Sequence, residues 1–175
     1  MKVVIIFHSV CGNCYLVARS FRENLAGSCQ VAICRVADSD WVRKPDVPEP
    51  AQAVLESMLT VPEARPQDLL DADLIILGSP TYFGNVSAEM KAFMDSTGGM
   101  WVQGQLAGKK LFAYTSAGNS EGGGDLCLQA IHNYGKYMGL LSMPLPRNIL
   151  NGENVPALGI IHYSNGKYAE SLDAR

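Results

Sequence analysis

A chain of 175 residues, 47% hydrophobic and 18% charged, has the composition of one globular domain large enough to bury a core, which excludes disorder along most of its length. Fourteen Lys and Arg against seventeen Asp and Glu leave a formal charge of −3, with no basic excess to track a nucleic-acid backbone. No apolar run reaches the roughly 18 residues of a membrane-spanning helix, and the five cysteines, an odd number, make no secreted disulfide framework.

The first apolar run, Val3-Val4-Ile5-Ile6-Phe7, is short and unalternated. That is how a strand buried on both faces of a parallel sheet reads. It is too short for the core of a signal peptide, and with the cysteine count it gives the expectation of a cytoplasmic protein with reduced thiols. Tyr15, Val17, Ala18, Phe21 and Leu25 then recur at helical spacing, with Gly27 as a stop. Residues 31–36 form a second strand candidate with partial alternation. Pro45, Pro48, Pro50, Pro62 and Pro66 punctuate the next stretch, where a helix fits residues 51–59 and a helical turn fits 67–70.

Leu74-Ile75-Ile76-Leu77 and Lys110-Leu111-Phe112-Ala113-Tyr114 repeat the buried-strand pattern. Met90, Phe93 and Met94 form a helical stripe after Ser87, and Leu126, Ala130, Ile131, Tyr134 and Met138 form another. Residues 138–145 make a fifth strand, ended by Pro144 and Pro146. Strand and helix alternate five times, which predicts a parallel sheet with right-handed crossovers and helices on both faces. Such a domain needs a last helix to cover the first strand. Residues 147–175 are rich in Gly, Pro, Asn and Ser, and only 167–174 has helical capacity, about two turns. Either the tail covers the sheet irregularly, or the chain is shortened, or another subunit covers it.

In this architecture ligands bind outside the carboxyl ends of the strands, at the switch point of the strand order. Three loops are therefore read together. The first, His8-Ser9-Val10-Cys11-Gly12-Asn13-Cys14, lies between a strand and a helix start and carries no Lys or Arg. Free backbone N–H groups and the helix dipole suit a phosphate monoester there, and a plain turn capped by Ser9 or Asn13 is the alternative. The second, Gly78-Ser79-Pro80-Thr81-Tyr82-Phe83-Gly84-Asn85-Val86-Ser87, sets two aromatics side by side, which suits a planar ligand or simple packing of one ring on the domain. The third, Thr115-Ser116-Ala117-Gly118-Asn119-Ser120-Glu121-Gly122-Gly123-Gly124, permits close backbone approach to a ligand.

Ser9-x-Cys11-Gly12-Asn13-Cys14 resembles the flavodoxin phosphate loop, Ser/Thr-x-Thr-Gly-x-Thr, with cysteine at both threonine positions. The block from Gly78 to Ser87, then Met90-Lys91-Ala92-Phe93-Met94-Asp95, then Thr97-Gly98-Gly99-Met100-Trp101, resembles the WrbA-type NAD(P)H:quinone oxidoreductases. The likeness runs from residue 1 to about 146. It implies a flavodoxin-like, three-layer, doubly wound α/β fold over 1–175 with five parallel strands in the order 2-1-3-4-5, a short or incomplete C-terminal helix and an irregular tail from 146.

By matching position, the resemblance implies that Ser9, Val10, Cys11, Gly12, Asn13 and Cys14 hold the phosphate of FMN. Pro80, Thr81, Tyr82, Phe83 and Gly84 then line one side of the ring, and Ser116, Ala117, Gly118, Gly122 and Gly123 meet its edge and the ribityl chain. Trp101 corresponds to a tryptophan that closes the pocket from a neighbouring subunit, so a homodimer or homotetramer is expected. The chain departs from the family at four points. Thiols, weaker donors than hydroxyls, replace the threonines. Tyr82 stands where Arg is frequent. Met138 aligns with a histidine near the quinone, with His132 and Tyr137 close in sequence. The third loop is two residues longer and the tail is short.

The implied activity is ping-pong transfer of two electrons from NAD(P)H to a quinone or similar planar acceptor, with Tyr82 and Trp101 as pocket walls and no obligatory acid or base. Two alternatives stand beside it: a one-electron carrier, for which a charge of −3 is mild, and a flavin- or redox-sensing binding protein using Cys11 and Cys14 as a dithiol. No metal site is expected. Cys29, Cys34 and Cys127 read as buried small hydrophobes. His8 reads as a loop or core residue, and Glu121 and Asp125 as helix N-terminal charges.

Overall fold

The computed structural model describes residues 1–38, 47–145 and 157–170. Its elements are β1 (Lys2–Phe7), α1 (Asn13–Leu25), β2 (Gln30–Arg35), α2 (Glu49–Leu59), a 3-10 turn (Pro66–Leu69), β3 (Leu74–Pro80), α3 (Ala88–Ser96), α4 (Gly98–Val102), β4 (Lys110–Ala117), α5 (Gly124–Tyr137), β5 (Leu141–Ser142) and β6 (Ile160–Tyr163). The sheet runs β2-β1-β3-β4-β5, the expected order, with every pairing parallel. β1, β3 and β4 are buried along almost their whole length, which is why their sequences do not alternate.

Successive side chains point to opposite faces of the sheet and build two cores. Val4, Ile6, Ile75 and Leu77 pack with Met90, Phe93, Leu128 and Ile131 of α3 and α5. Val3, Ile5, Phe7 and Ile76 pack with Tyr15, Ala18, Val54 and Met58 of α1 and α2. On this second face the Phe21 ring lies 5.7 Å from Phe112 and 5.6 Å from Tyr114. Gly78 is small because Tyr114 crosses it: a Cβ at Gly78 would stand 1.9 Å from the Tyr114 ring. Tyr114 thereby reaches the Cys14 carbonyl with its hydroxyl, at 3.0 Å.

The fold differs from expectation in three places. β3 runs on to Pro80 and β4 to Ala117, with Ser79 opposite Thr115 and Pro80 opposite Ser116, so residues read as loop continue the ladder. The expected fifth strand shrinks to Leu141–Ser142 beside Lys110–Leu111. Its line is resumed by β6, where Ile160 to Tyr163 pair with Tyr114 to Ala117. Because Tyr114 to Ser116 pair with β3 on their other edge, β6 lies on the same edge of β4 as β5: one strand position is filled by two pieces. Finally α4 forms at Gly98-Gly99, where no apolar stripe announces a helix.

The tail covers the sheet end irregularly. Ser164 N–H donates to the Ala117 carbonyl (2.9 Å), and a turn with positive φ at Asn165 and Gly166 closes through Lys167 N–H to Ser164 O (3.0 Å). Ala169 N–H then donates to the Cys11 carbonyl at 2.9 Å, with its side chain buried. Residues 167–170 are not helical, and the rest of the expected 167–174 helix lies outside the described residues, as do 146–156. Between α1 and the tail runs an open groove of about 650 Å³, lined by Leu16, Val17, Phe21, Ile160 and Tyr168 among others. Among the described residues no helix is long and apolar enough to cross a membrane.

Candidate functional site

Strands β1, β3 and β4 are neighbours, so the loops at their carboxyl ends, 8–12, 81–87 and 118–123, share one rim of the sheet. β1 and β3 flank the point where the strand order turns back, the usual ligand crevice of this architecture.

In the first loop the helix cap is Gly12, in the left-handed region at φ 82, and no side chain caps α1. Neither Ser9 nor Asn13 serves as cap: the Asn13 side-chain amide donates to the Lys167 carbonyl at 2.9 Å. The first helical bond runs from Leu16 N–H to Gly12 O, so the amides of Asn13, Cys14 and Tyr15 find no partner inside the helix. A Cβ at Gly12 would stand 2.8 Å from Val54 and 3.1 Å from Ala169, so the loop is backed by α2 and the tail. Ser9 is buried, and Val10 and Cys11 are half-buried.

The two loop cysteines differ. Cys14 is 1% exposed. Burial first, then the nearby Cys127, pushes its thiol far above the ordinary range, although the Ser116 backbone N–H favours the thiolate. A thiol whose charged form is disfavoured is a poor nucleophile, which speaks against Cys14 as the attacking thiol of a Cys11–Cys14 dithiol. Cys34 is likewise pushed up to about 11, chiefly by burial. Cys34 and Cys127 are buried as expected, whereas Cys29 is only half-buried.

The second loop is held by hydroxyls. Thr115 Oγ1–H donates to the Ser79 carbonyl (2.7 Å), which leaves Thr81 to donate to Thr115 Oγ1 (2.8 Å). Ser79 Oγ accepts from Ser87 N–H (2.9 Å), and Ser87 Oγ caps α3 by accepting from Met90 N–H (3.2 Å). Pro80 closes β3, and Thr81 N–H donates to the Ser116 carbonyl at 2.9 Å. At the tip, Tyr82 and Asn85 exchange both backbone bonds at 3.0 Å around Phe83 and Gly84, each at positive φ. This two-residue turn suits Gly84 and strains Phe83, a bulky residue in the left-handed region. Phe83 does not pack on the domain: it is wholly exposed, whereas Tyr82 is 45% exposed. The Tyr82 hydroxyl is held above its usual range by burial first, then by the charges of Cys11, Glu89, Cys14 and Asp38.

The third loop starts from Ser116 and Ala117, both buried at the end of β4. Asn119 folds it, accepting Glu121 N–H at its side chain (3.0 Å) and Gly122 N–H at its carbonyl (3.1 Å), while Gly118 has open space at its Cβ position. Gly123 caps α5 at φ 75, again without a side-chain cap. A Cβ on Gly123 would stand 3.0 Å from the Gly84 Cα, so the second and third loops touch through two glycines. Asp125 lies in the first turn of α5 as expected; Glu121 lies before the helix.

Trp101 is not at this rim. α3 leads away from it for nine residues, roughly 13 Å of helix, and α4 follows directly. Trp101, 56% exposed, therefore sits toward the amino ends of the strands. Met138 is in the same quarter, with the Thr97 hydroxyl 3.9 Å from its sulfur, and Tyr137 beside it is exposed. His132 is buried and spent inside the fold. Its Nε2 lies 2.6 Å from the Leu158 carbonyl, so that nitrogen donates and Nδ1 accepts from Ser142 Oγ at 2.9 Å. It ties the two pieces of the fifth strand together.

Sequence reasoning missed the setting of His8. The ring is 1% exposed as a residue, with Nε2 3.4 Å from Asp38 Oδ2 and Nδ1 3.7 Å from Glu89 Oε2. The β1 pattern gave a sign of its burial; nothing in the sequence spacing tied it to residues 30 and 81 positions away.

Comparison with known proteins agrees with this geometry. Residues 1–153 match the family described as NADPH-dependent FMN reductase. A NAD(P)H dehydrogenase (quinone) of Deinococcus radiodurans is 35% identical over 145 residues, 82% of this chain and 72% of that protein. One of Geobacter sulfurreducens is 32% identical over 150 residues, covering 83% and 72%. Among solved structures, a WrbA-like flavodoxin protein from Agrobacterium tumefaciens aligns with a TM-score of 0.58 at 21% identity, over 80% of this chain and 74% of that one. A flavodoxin from the domain Archaea aligns at 0.60 and 21%, over 93% and 85%. The fold is flavodoxin-like, and the chain belongs to the NADPH-dependent FMN reductase family.

Proposed function

We propose that the protein is an FMN-dependent oxidoreductase that carries two electrons from NAD(P)H to a quinone or a similar planar acceptor. One observation carries the reading: a helix whose N-terminus has no side-chain cap opens at the switch point of the sheet, in a chain of the FMN reductase family. The names of the relatives from Deinococcus and Geobacter support the quinone as acceptor.

The residues present fit FMN. Uncapped amides and the α1 dipole favour a phosphate monoester without help from a cation. Ser9, Val10, Cys11, Gly12, Asn13 and Cys14 hold it, and with the Cys14 thiol buried and the Asn13 side chain committed to Lys167, those two contribute backbone N–H groups. Pro80, Thr81, Tyr82, Phe83 and Gly84 line one side of the ring; Ser116, Ala117, Gly118, Gly122 and Gly123 line its edge. FMN, when bound, supplies the hydride and electron chemistry. The chain's share is to bind, orient and exclude water, with Tyr82 as one wall. Trp101, remote from its own rim, becomes the second wall from a neighbouring subunit, so the working form is a homodimer or homotetramer, and Met138 enters with it. The balance is NAD(P)H + H⁺ + quinone → NAD(P)⁺ + hydroquinone. The odd cysteine count supports a cytoplasmic setting with reduced thiols, and the net charge of −3 gives no support to a nucleic-acid partner.

Initial rates of the FMN-loaded protein at varied NADPH and quinone test this. Parallel double-reciprocal lines are expected, and a Tyr82→Ala, Trp101→Ala double variant is expected to lose turnover at least about tenfold, a barrier change of about 1.4 kcal/mol. Unchanged kinetics in that variant remove both residues as walls.

A further inference from the structure

We propose that Tyr114 is a positioning residue for the flavin phosphate: through one hydrogen bond in the core it aims and strengthens the Tyr15 amide at the open end of α1. The proposal rests on the reading of the loop after β1 as the FMN phosphate site. Tyr114 is fully buried in β4, in the apolar run Leu111-Phe112-Ala113-Tyr114. Its ring lies 5.6 Å from that of Phe21, a space that phenylalanine would fill as well. The hydroxyl is the part that packing does not require, and a buried hydroxyl without a partner is costly. The fold supplies the partner. Gly78, opposite Tyr114 on β3, leaves the opening through which the ring passes, since a Cβ there would overlap the ring and its hydroxyl. Beyond it the hydroxyl donates to the Cys14 carbonyl at 3.0 Å, 100 residues away in the chain and in the first turn of α1. Two positions on two strands serve to bring one donor to one carbonyl.

The choice of carbonyl carries the functional argument. Cys14 C=O and Tyr15 N–H belong to one planar peptide unit, and in a trans peptide they point opposite ways. In α1 that carbonyl points along the helix and the amide points out of its N-terminus. Tyr15 is the last of the three amides without a partner inside the helix, because the first helical bond starts from Leu16. A donor at the carbonyl draws electron density from the peptide and makes the amide hydrogen more positive. Hydrogen bonds chained in this way strengthen one another by roughly 10–30%. The hydroxyl stays a donor, because burial first, then the nearby Cys14, keeps it protonated well above its ordinary range. A second contact fixes the same residue: the Ser116 backbone N–H is bonded to the Cys14 sulfur. β4 therefore grips the first turn of α1 at positions 114 and 116, and the open amides stand at a set place relative to the loop after β4.

The test compares the affinities of FMN and riboflavin, which has the same ring and no phosphate, by fluorescence quenching in the full-length protein and in Tyr114→Phe. The variant keeps the ring in its place and leaves the Cys14 carbonyl its bond within the helix. The unaltered protein is expected to prefer FMN, and Tyr114→Phe to narrow that preference about threefold, with FMN weakened and riboflavin unchanged. In amide NMR spectra without flavin, the Tyr15 proton of the variant is expected to move upfield. An unchanged ratio of the two affinities overturns the proposal. So does an equal loss for both flavins, which is what a merely structural role would give. An unaltered protein that binds both flavins equally defeats the phosphate reading itself, before the variant is compared, and this proposal with it.

Discussion

The loops after β3 and β1 reach the same rim, yet they are held in opposite ways. The loop after β3 is fixed by hydroxyls: Thr81, Thr115 of β4, Ser79 and Ser87 form a continuous chain of bonds, and Tyr82 and Asn85 close the turn between them. The loop after β1 ends in a glycine helix cap with no side-chain cap, and it is held from behind by a segment more than 150 residues away, through Asn13 to Lys167 and Ala169 to Cys11. The contrast suits the two tasks proposed for them. A wall for a flat ring gains from rigidity, whereas a phosphate cradle must leave its amides uncommitted until the ligand arrives.

Substitutions on the two sides should therefore fail differently. Thr115→Val removes a fully buried hydroxyl that serves both Ser79 and Thr81. It is expected to cost about 2–3 kcal/mol of stability, read as a lower urea midpoint, with a smaller effect on FMN affinity. Ending the chain after Ser164 removes both tethers of the first loop. Two lost hydrogen bonds at about 1 kcal/mol each correspond to roughly 30-fold weaker FMN binding, measured by quenching of flavin fluorescence, with a smaller shift in midpoint. If both variants lost stability and affinity in the same proportion, the division of labour would be wrong.

Smaller effects refine the picture. Phe83→Asn relieves a bulky residue at positive φ and should stabilise the protein by about 1 kcal/mol while slowing turnover, because the exposed ring is strained where it is useful. Thiol labelling should separate Cys11 and Cys29, which react, from the buried Cys14, Cys34 and Cys127, which resist until the chain unfolds. The mildest effect concerns pH. Burial holds His162 of β6 below its ordinary 6.5. Above that pH the ring is neutral in both folded and unfolded chains. Below it the unfolded chain binds the proton first, so stability falls with pH until the folded ring also titrates. His162→Gln should flatten that acid limb of the thermal midpoint.

Much of this molecule was legible in the sequence. Uninterrupted apolar runs announced β1, β3 and β4 because burial on both faces removes alternation, and the helical stripes of α1, α3 and α5 fell where expected. The fifth strand was misread because Leu141–Ser142 is too short to show a pattern and Ile160-Ile161 sits alone in a polar tail. The ends of β3 and β4 were misread because their serines and threonines look like loop residues until the partner that satisfies each hydroxyl is known. The same limit hid His8: a buried ring and the two carboxylates that flank it come from three separate elements.

The central reading is tested most directly by anaerobic addition of NADPH to the FMN-loaded protein, followed by a quinone. The account predicts that the visible flavin band bleaches within the time of a catalytic turnover and returns in full when quinone is added, with one NADPH consumed per quinone reduced. A flavin that binds tightly but keeps its band in excess NADPH would contradict it.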